Sequence, residues 1–134
     1  MIVALAASAF LLTPPQPNPV PNAVTVARNL DLTSFANSVG PRRRPGARLP
    51  AEYGFTQVDG DDSLAVLSER DRSWELSVEL ISRDGDNVVI CFGDTARNGG
   101  SYHVQEALAL HKGLDGVYRA LEDRPSIPSC PTRS

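Results

Sequence analysis

The chain has 134 residues, enough for one domain and too few for two cores of ordinary size. With 41% hydrophobic and 22% charged residues it is neither a polar disordered chain nor a multispan membrane protein, and a formal charge of −3 lacks the cationic surplus that nucleic-acid coating needs. Two cysteines, Cys91 and Cys130, exclude a four-cysteine zinc site and a disulfide-dense scaffold.

Residues Ile2 to Leu12 (IVALAASAFLL) are apolar apart from Ser8 and carry no charge. Such a run matches the hydrophobic region of an export signal and falls short of the roughly 20 residues that cross a bilayer. Five prolines between Pro14 and Pro21 follow it, and a helix cannot continue through them, because each ring removes a donor and clashes with the preceding turn. Residues 1–23 are therefore expected to be a signal peptide with a Pro-rich linker. An uncleaved membrane anchor and a buried apolar arm are the alternatives. Lys112 is the only Lys beside twelve Arg, a bias that GC-rich codons explain and that points to a bacterial source.

Proline placement divides the rest. Pro41, Pro45 and Pro50 mark one loop and Pro125, Pro128 and Pro131 a tail, while none lies from Ala51 through Arg124. Regular elements exclude interior proline, so 51–124 is expected to be the core domain. Residues 24–50 are expected to hold a short helix and an Arg/Pro-rich loop, and 125–134 a Pro-rich tail. In the 24–50 stretch Thr33 or Ser34 is placed to cap a helix with Phe35 and Val39 on its apolar side and Gly40-Pro41 as its stop.

Strands are expected next. Tyr53 to Val58 puts Tyr53 and Phe55 on one face before the turn-like Asp59-Gly60-Asp61-Asp62, and Ser63 to Leu67 follows. Trp74 to Leu80 alternates cleanly, with Trp74, Leu76, Val78 and Leu80 inward and Glu75, Ser77 and Glu79 outward. Asp84-Gly85 then reads as a two-residue hairpin turn into Asn87–Phe92. Beyond Gly100 the apolar residues Val104, Ala107, Leu108, His111, Leu114, Val117, Tyr118 and Leu121 follow helical spacing, although Tyr102–Leu110 also reads as a strand. The expected class is α+β: an antiparallel meander of about four strands, with a short N-terminal helix and one or two C-terminal helices covering one face.

A core this small gains from a cross-link, and Cys91 in the predicted fourth strand can bond to Cys130 in the tail in an oxidising compartment. Arg42, Arg43, Arg44 and Arg48 form the densest charge feature, with guanidinium forks suited to an anion or a partner surface. The acidic stretches at 59–62 and 84–87 lack the twelve-residue frame of a calcium loop and read as turns. His103 and His111, eight residues apart, are too far separated on a helix to share one metal. No Walker A, G-x-G-x-x-G or G-x-S-x-G motif occurs, so no cofactor, metal or catalytic residue is assigned.

The expectation is a small exported bacterial protein, periplasmic or secreted, that binds an envelope protein or an anionic ligand rather than nucleic acid. Two other classes fit the sequence less well: an exported hydrolase or lyase using carboxylates with His103 or His111, and a cytosolic adaptor or chaperone-like dimer.

Overall fold

The computed structural model describes residues 21–128 and Cys130. The apolar run Ile2–Leu12, and with it the export-signal expectation, lies outside the described residues. Among those described, no helix is long and apolar enough to cross a membrane.

Six strands form one antiparallel meander: β1 (Gln57–Gly60), β2 (Leu64–Ser68), β3 (Trp74–Asp84), β4 (Asn87–Ala96), β5 (His103–Lys112) and β6 (Tyr118–Ala120). Every connection is a hairpin, so the order in space is the order in sequence. The alternation read from Trp74 to Leu80 holds. Leu76 and Val78 are fully buried, while Glu79 is exposed on the other face. The hairpin between β3 and β4 also forms, one residue later than expected. Asp84 pairs with Asn87, leaving Gly85 and Asp86 as the turn. Gly85 has φ +59° and Asp86 has no positive φ, the arrangement of a turn whose first central residue must be Gly.

One face of the sheet is the core face, built from Ala65, Leu67, Leu76, Val78, Val88, Ile90, Phe92, Leu108, Leu110 and Tyr118. Residues 23–55 cover it with Val26, Leu30, Leu32, Phe35, Val39, Tyr53 and Phe55. Most of that cover is irregular. Its one α-helix, α1 (Ala23–Arg28), is capped by Asn22, whose Oδ1 accepts from the Thr25 N–H at 2.8 Å. The chain then runs beside β6: Tyr118 N–H donates to Asn29 O and Asp31 N–H to Tyr118 O, each at 2.8 Å. A 3₁₀ turn at Gly40–Arg42 and another at Pro50–Tyr53 complete the cover.

These observations overturn the α+β expectation: the described chain is mostly sheet, with six strands and one short helix. The expected helix at Thr33–Val39 is a run of turns. Asn37 holds them, donating to the Leu32 and Phe35 carbonyls and accepting from Val39 N–H, which replaces helical bonding with side-chain bonding to the backbone. Phe35 and Val39 are nonetheless buried.

The expected C-terminal helix is β5 and β6. In β5, Leu108 and Leu110 face the core while Ala107, on the other face, is also buried, because the tail carrying Cys130 lies over it. Burial on both faces fills the apolar run at 107–110 and erases the period-two signal, and pairing along the whole of β4 overrides the helix propensity of Gln105–Lys112. Leu114, placed on the apolar side of that helix, is fully exposed in the β5–β6 turn.

The Cys91–Cys130 disulfide forms, with Cα atoms 5.6 Å apart. With Ala107, Ile81 and Ile127 it makes a second, smaller apolar cluster on the back face. Bonds of this kind persist in oxidising compartments and are rare under cytosolic reduction, so the pair is consistent with an extracytoplasmic protein.

Candidate functional site

Four guanidinium groups were expected to project from the 42–48 loop, and three of them contact the chain itself. Arg42 pairs with Glu69 at 3.3 Å and lies 5.9 Å from the Phe55 ring centre. Arg43 donates to Phe35 O at 3.1 Å. Arg44 donates to Glu52 O and sits 5.3 Å above the Tyr53 ring. Only the Arg48 side chain is without such a contact among the described residues, while its backbone N–H donates to Glu52. The loop is pinned further by Tyr53, whose hydroxyl donates to Ala47 O at 2.8 Å. Arg42 ties the cover to the end of β2, while Arg43 and Arg44 bond within the cover itself.

The two histidines lie on the back face of β5, at positions eight residues apart in a strand and so about 27 Å from each other. His103 Nδ1 is 2.7 Å from Thr95 Oγ1 and His111 Nδ1 is 2.9 Å from Asn87 Oδ1. Both are exposed. The carboxylates Asp94 and Glu106 belong to the opposite face, as the pairing of Phe92 with Glu106 and of Asp94 with Val104 requires. The sheet therefore separates the imidazoles from these two acids.

Asp94 is 1% exposed and was not singled out in the sequence. It accepts from Ser38 N–H at 2.8 Å, Ser38 Oγ at 2.7 Å and Trp74 Nε1 at 2.6 Å. Trp74 in turn packs against Tyr102, with ring centres 5.4 Å apart. Glu106 lies near this corner. Burial pushes its carboxyl above the usual Glu range and the Asp94 charge adds to the shift, against an opposing pull from Arg124. Its folded-state pKa thus exceeds the unfolded one, so the ionised side chain subtracts stability above that range and costs nothing below it. Glu106→Gln is expected to raise Tm at pH 7 and leave it unchanged near pH 3. Equal or lower Tm at pH 7 would contradict the burial account.

A different place in the fold has the shape of a binding site. An open groove of about 290 Å³ is lined by Arg28, Pro50, Ala51, Phe55, Thr56, Val58 and Leu67. Phe55 and Leu67 form a buried apolar floor. The 3₁₀ turn Pro50–Tyr53 and the end of α1 make two walls, and β1 makes the third. Asp61 N–H donates to Leu64 O, which turns the backbone of odd-numbered β1 residues toward β2. The N–H and C=O groups of Val58 and Gly60 therefore point outward, and no described residue pairs with them. Arg28 is exposed, and its guanidinium has no hydrogen bond or ion pair among the described residues. Sequence reading passed over Arg28 because it is isolated, whereas the Arg42–Arg48 cluster is dense. Only tertiary placement sets it beside apolar residues more than 20 positions away.

The described residues form a small antiparallel β-meander with a disulfide-anchored tail and an open apolar cleft at a sheet edge. No protein-family model, curated protein or solved structure matches the chain.

Proposed function

We propose that this chain is an exported, non-catalytic binding module of the bacterial cell envelope, and that its partner is another envelope protein. The observation that carries the reading is the groove at the β1 edge, where an apolar floor lies beside unpaired strand backbone. A strand edge of this kind supplies main-chain hydrogen bonds to an added segment, and a neighbouring apolar cleft supplies side-chain selection. The Cys91–Cys130 bond suits work outside the cytoplasm. The hydrolase reading has less support: the sheet divides His103 and His111 from Asp94 and Glu106, and Glu75, which shares the face of His103, is paired with Arg97.

Two measurements test the proposal. Cell fractionation with mass measurement of the mature chain should find it in the envelope or medium without the apolar run Ile2–Leu12 but with Asn22 and Ala23, which cap and begin α1; a cytoplasmic chain still beginning at Met1 overturns export. Photo-crosslinkers placed at Thr56 and Ala51 should capture a specific protein from envelope extract, whereas a crosslinker at exposed Leu114 should not. Equal capture from all three positions, or none from any, overturns the binding role.

A further inference from the structure

We propose that the β1 groove takes the C-terminal end of a partner polypeptide: an extended segment that adds beside β1, places an apolar last side chain on Phe55 and Leu67, and sets its terminal carboxylate on Arg28. This rests on the binding-module reading and specifies its ligand.

Three features converge on that occupant. The outward groups of Val58 and Gly60 match extended backbone, which rules in a polypeptide over a compact solute. The cleft, at about 290 Å³, stands at the low end of small-molecule pockets and fits one large apolar side chain with its adjoining backbone. Among the described residues Arg28 is the only charged one lining the groove, so the site favours a single negative charge next to an apolar group. A chain terminus whose last residue is apolar supplies both from adjacent atoms. An internal segment would need a separate acidic side chain to supply the anion, and a basic one would meet the guanidinium with like charge. A planar carboxylate can engage the guanidinium through two parallel hydrogen bonds, the strongest arrangement for either group. Arg28 also lies in the last turn of α1, where a cation is favoured.

The test uses the oxidised chain and a probe peptide, acetyl-Ala-Ser-Val-Thr-Leu, prepared both as the free acid and as the C-terminal amide. Calorimetric titration should show the acid binding at least about 10-fold more tightly than the amide, the scale expected for loss of a charge-assisted pair. Arg28→Gln should weaken the acid to the level of the amide and leave the amide unchanged. Ala51→Trp, at an exposed wall position, should plug the groove and weaken both forms. Circular dichroism of each variant should match the wild type, since both positions are on the surface. Equal affinity for acid and amide, or an Arg28→Gln variant that still distinguishes them, overturns the carboxylate assignment. Binding of decanoate but of neither peptide overturns it in favour of a lipid acid. If partner capture by a crosslinker at Thr56 survives both variants, the C-terminal-carboxylate assignment fails while the binding-module reading stands; if capture fails in the wild type as well, that reading fails too.

Discussion

Oxidised protein is expected to melt about 15 °C above the Cys91→Ser/Cys130→Ser double variant. The bond joins residues 39 apart in sequence, and a loop of that length removes chain entropy from the unfolded state worth about 4 kcal/mol. For a folded part of this size, each kcal/mol moves Tm by about 4 °C. In the folded state the same bond keeps Ile127 on Ala107 and Ile81, and among the described residues the tail has few other attachments: Cys130 N–H to Ile127 O, at 3.0 Å, is internal to it. Most of the effect should therefore come from the unfolded chain. Thermal melts of the oxidised, reduced and double-serine forms measure it, with the reduced and serine forms expected to agree. A difference below about 3 °C between oxidised and serine protein would mean that the bond does not constrain the unfolded state as this loop length requires.

The second large effect is expected at Asp94. Asp94→Ala should cost about 3 kcal/mol in denaturant unfolding, because it strands three donors in a buried corner: the Ser38 N–H, the Ser38 hydroxyl and the Trp74 indole N–H. Asp94→Asn should cost less, about 1–2 kcal/mol, because its amide keeps one acceptor oxygen and turns an NH₂ toward groups that also donate. The single Trp makes the corner visible: Trp74 fluorescence should shift in both variants while far-ultraviolet circular dichroism stays put. The structural meaning is specific. Asp94 on β4 bonds both to Ser38 in the cover and to Trp74 on β3, so the variant should loosen the seat of residues 32–39 on the sheet. A cost below 1 kcal/mol would show that water replaces the carboxylate without penalty.

Parts of the molecule were legible because one local rule governed them. Trp74 to Leu80 alternates since its strand has a buried face and a wet one, and Gly85 marks its turn because only glycine takes that backbone angle without strain. The disulfide was legible as a pairing because only two cysteines exist. Legibility failed where two faces are covered at once. Ala107 to Leu110 read as helical since a strand buried from both sides loses its alternation, and what covers the second face is a tail anchored 39 residues from Cys91. The helix placed at Thr33–Val39 failed for another reason: Asn37 bonds to three neighbouring backbone groups and so competes with helical bonding. The binding groove was not legible at all, because its residues come from positions 28, 50–58 and 67. Nor was Asp94, one of sixteen acidic residues until Ser38 and Trp74 are brought to it.

Sequence alone settled what depends on neighbours a few residues apart: the hairpin of β3 and β4, and a turn at each acidic stretch. The first turn begins only at Asp61, because Asp59 and Gly60 belong to β1, and Tyr53 belongs to a 3₁₀ turn rather than to the strand expected at Tyr53–Val58. Asp61 shows how local that last choice is, since its carboxylate accepts from Ser63 and Leu64 within its own turn. Tertiary structure decided what β5 is, what covers the sheet and where an open cleft remains. Those outcomes are set by pairing energies and burial summed over segments far apart in the chain, and no window of adjacent residues contains that sum.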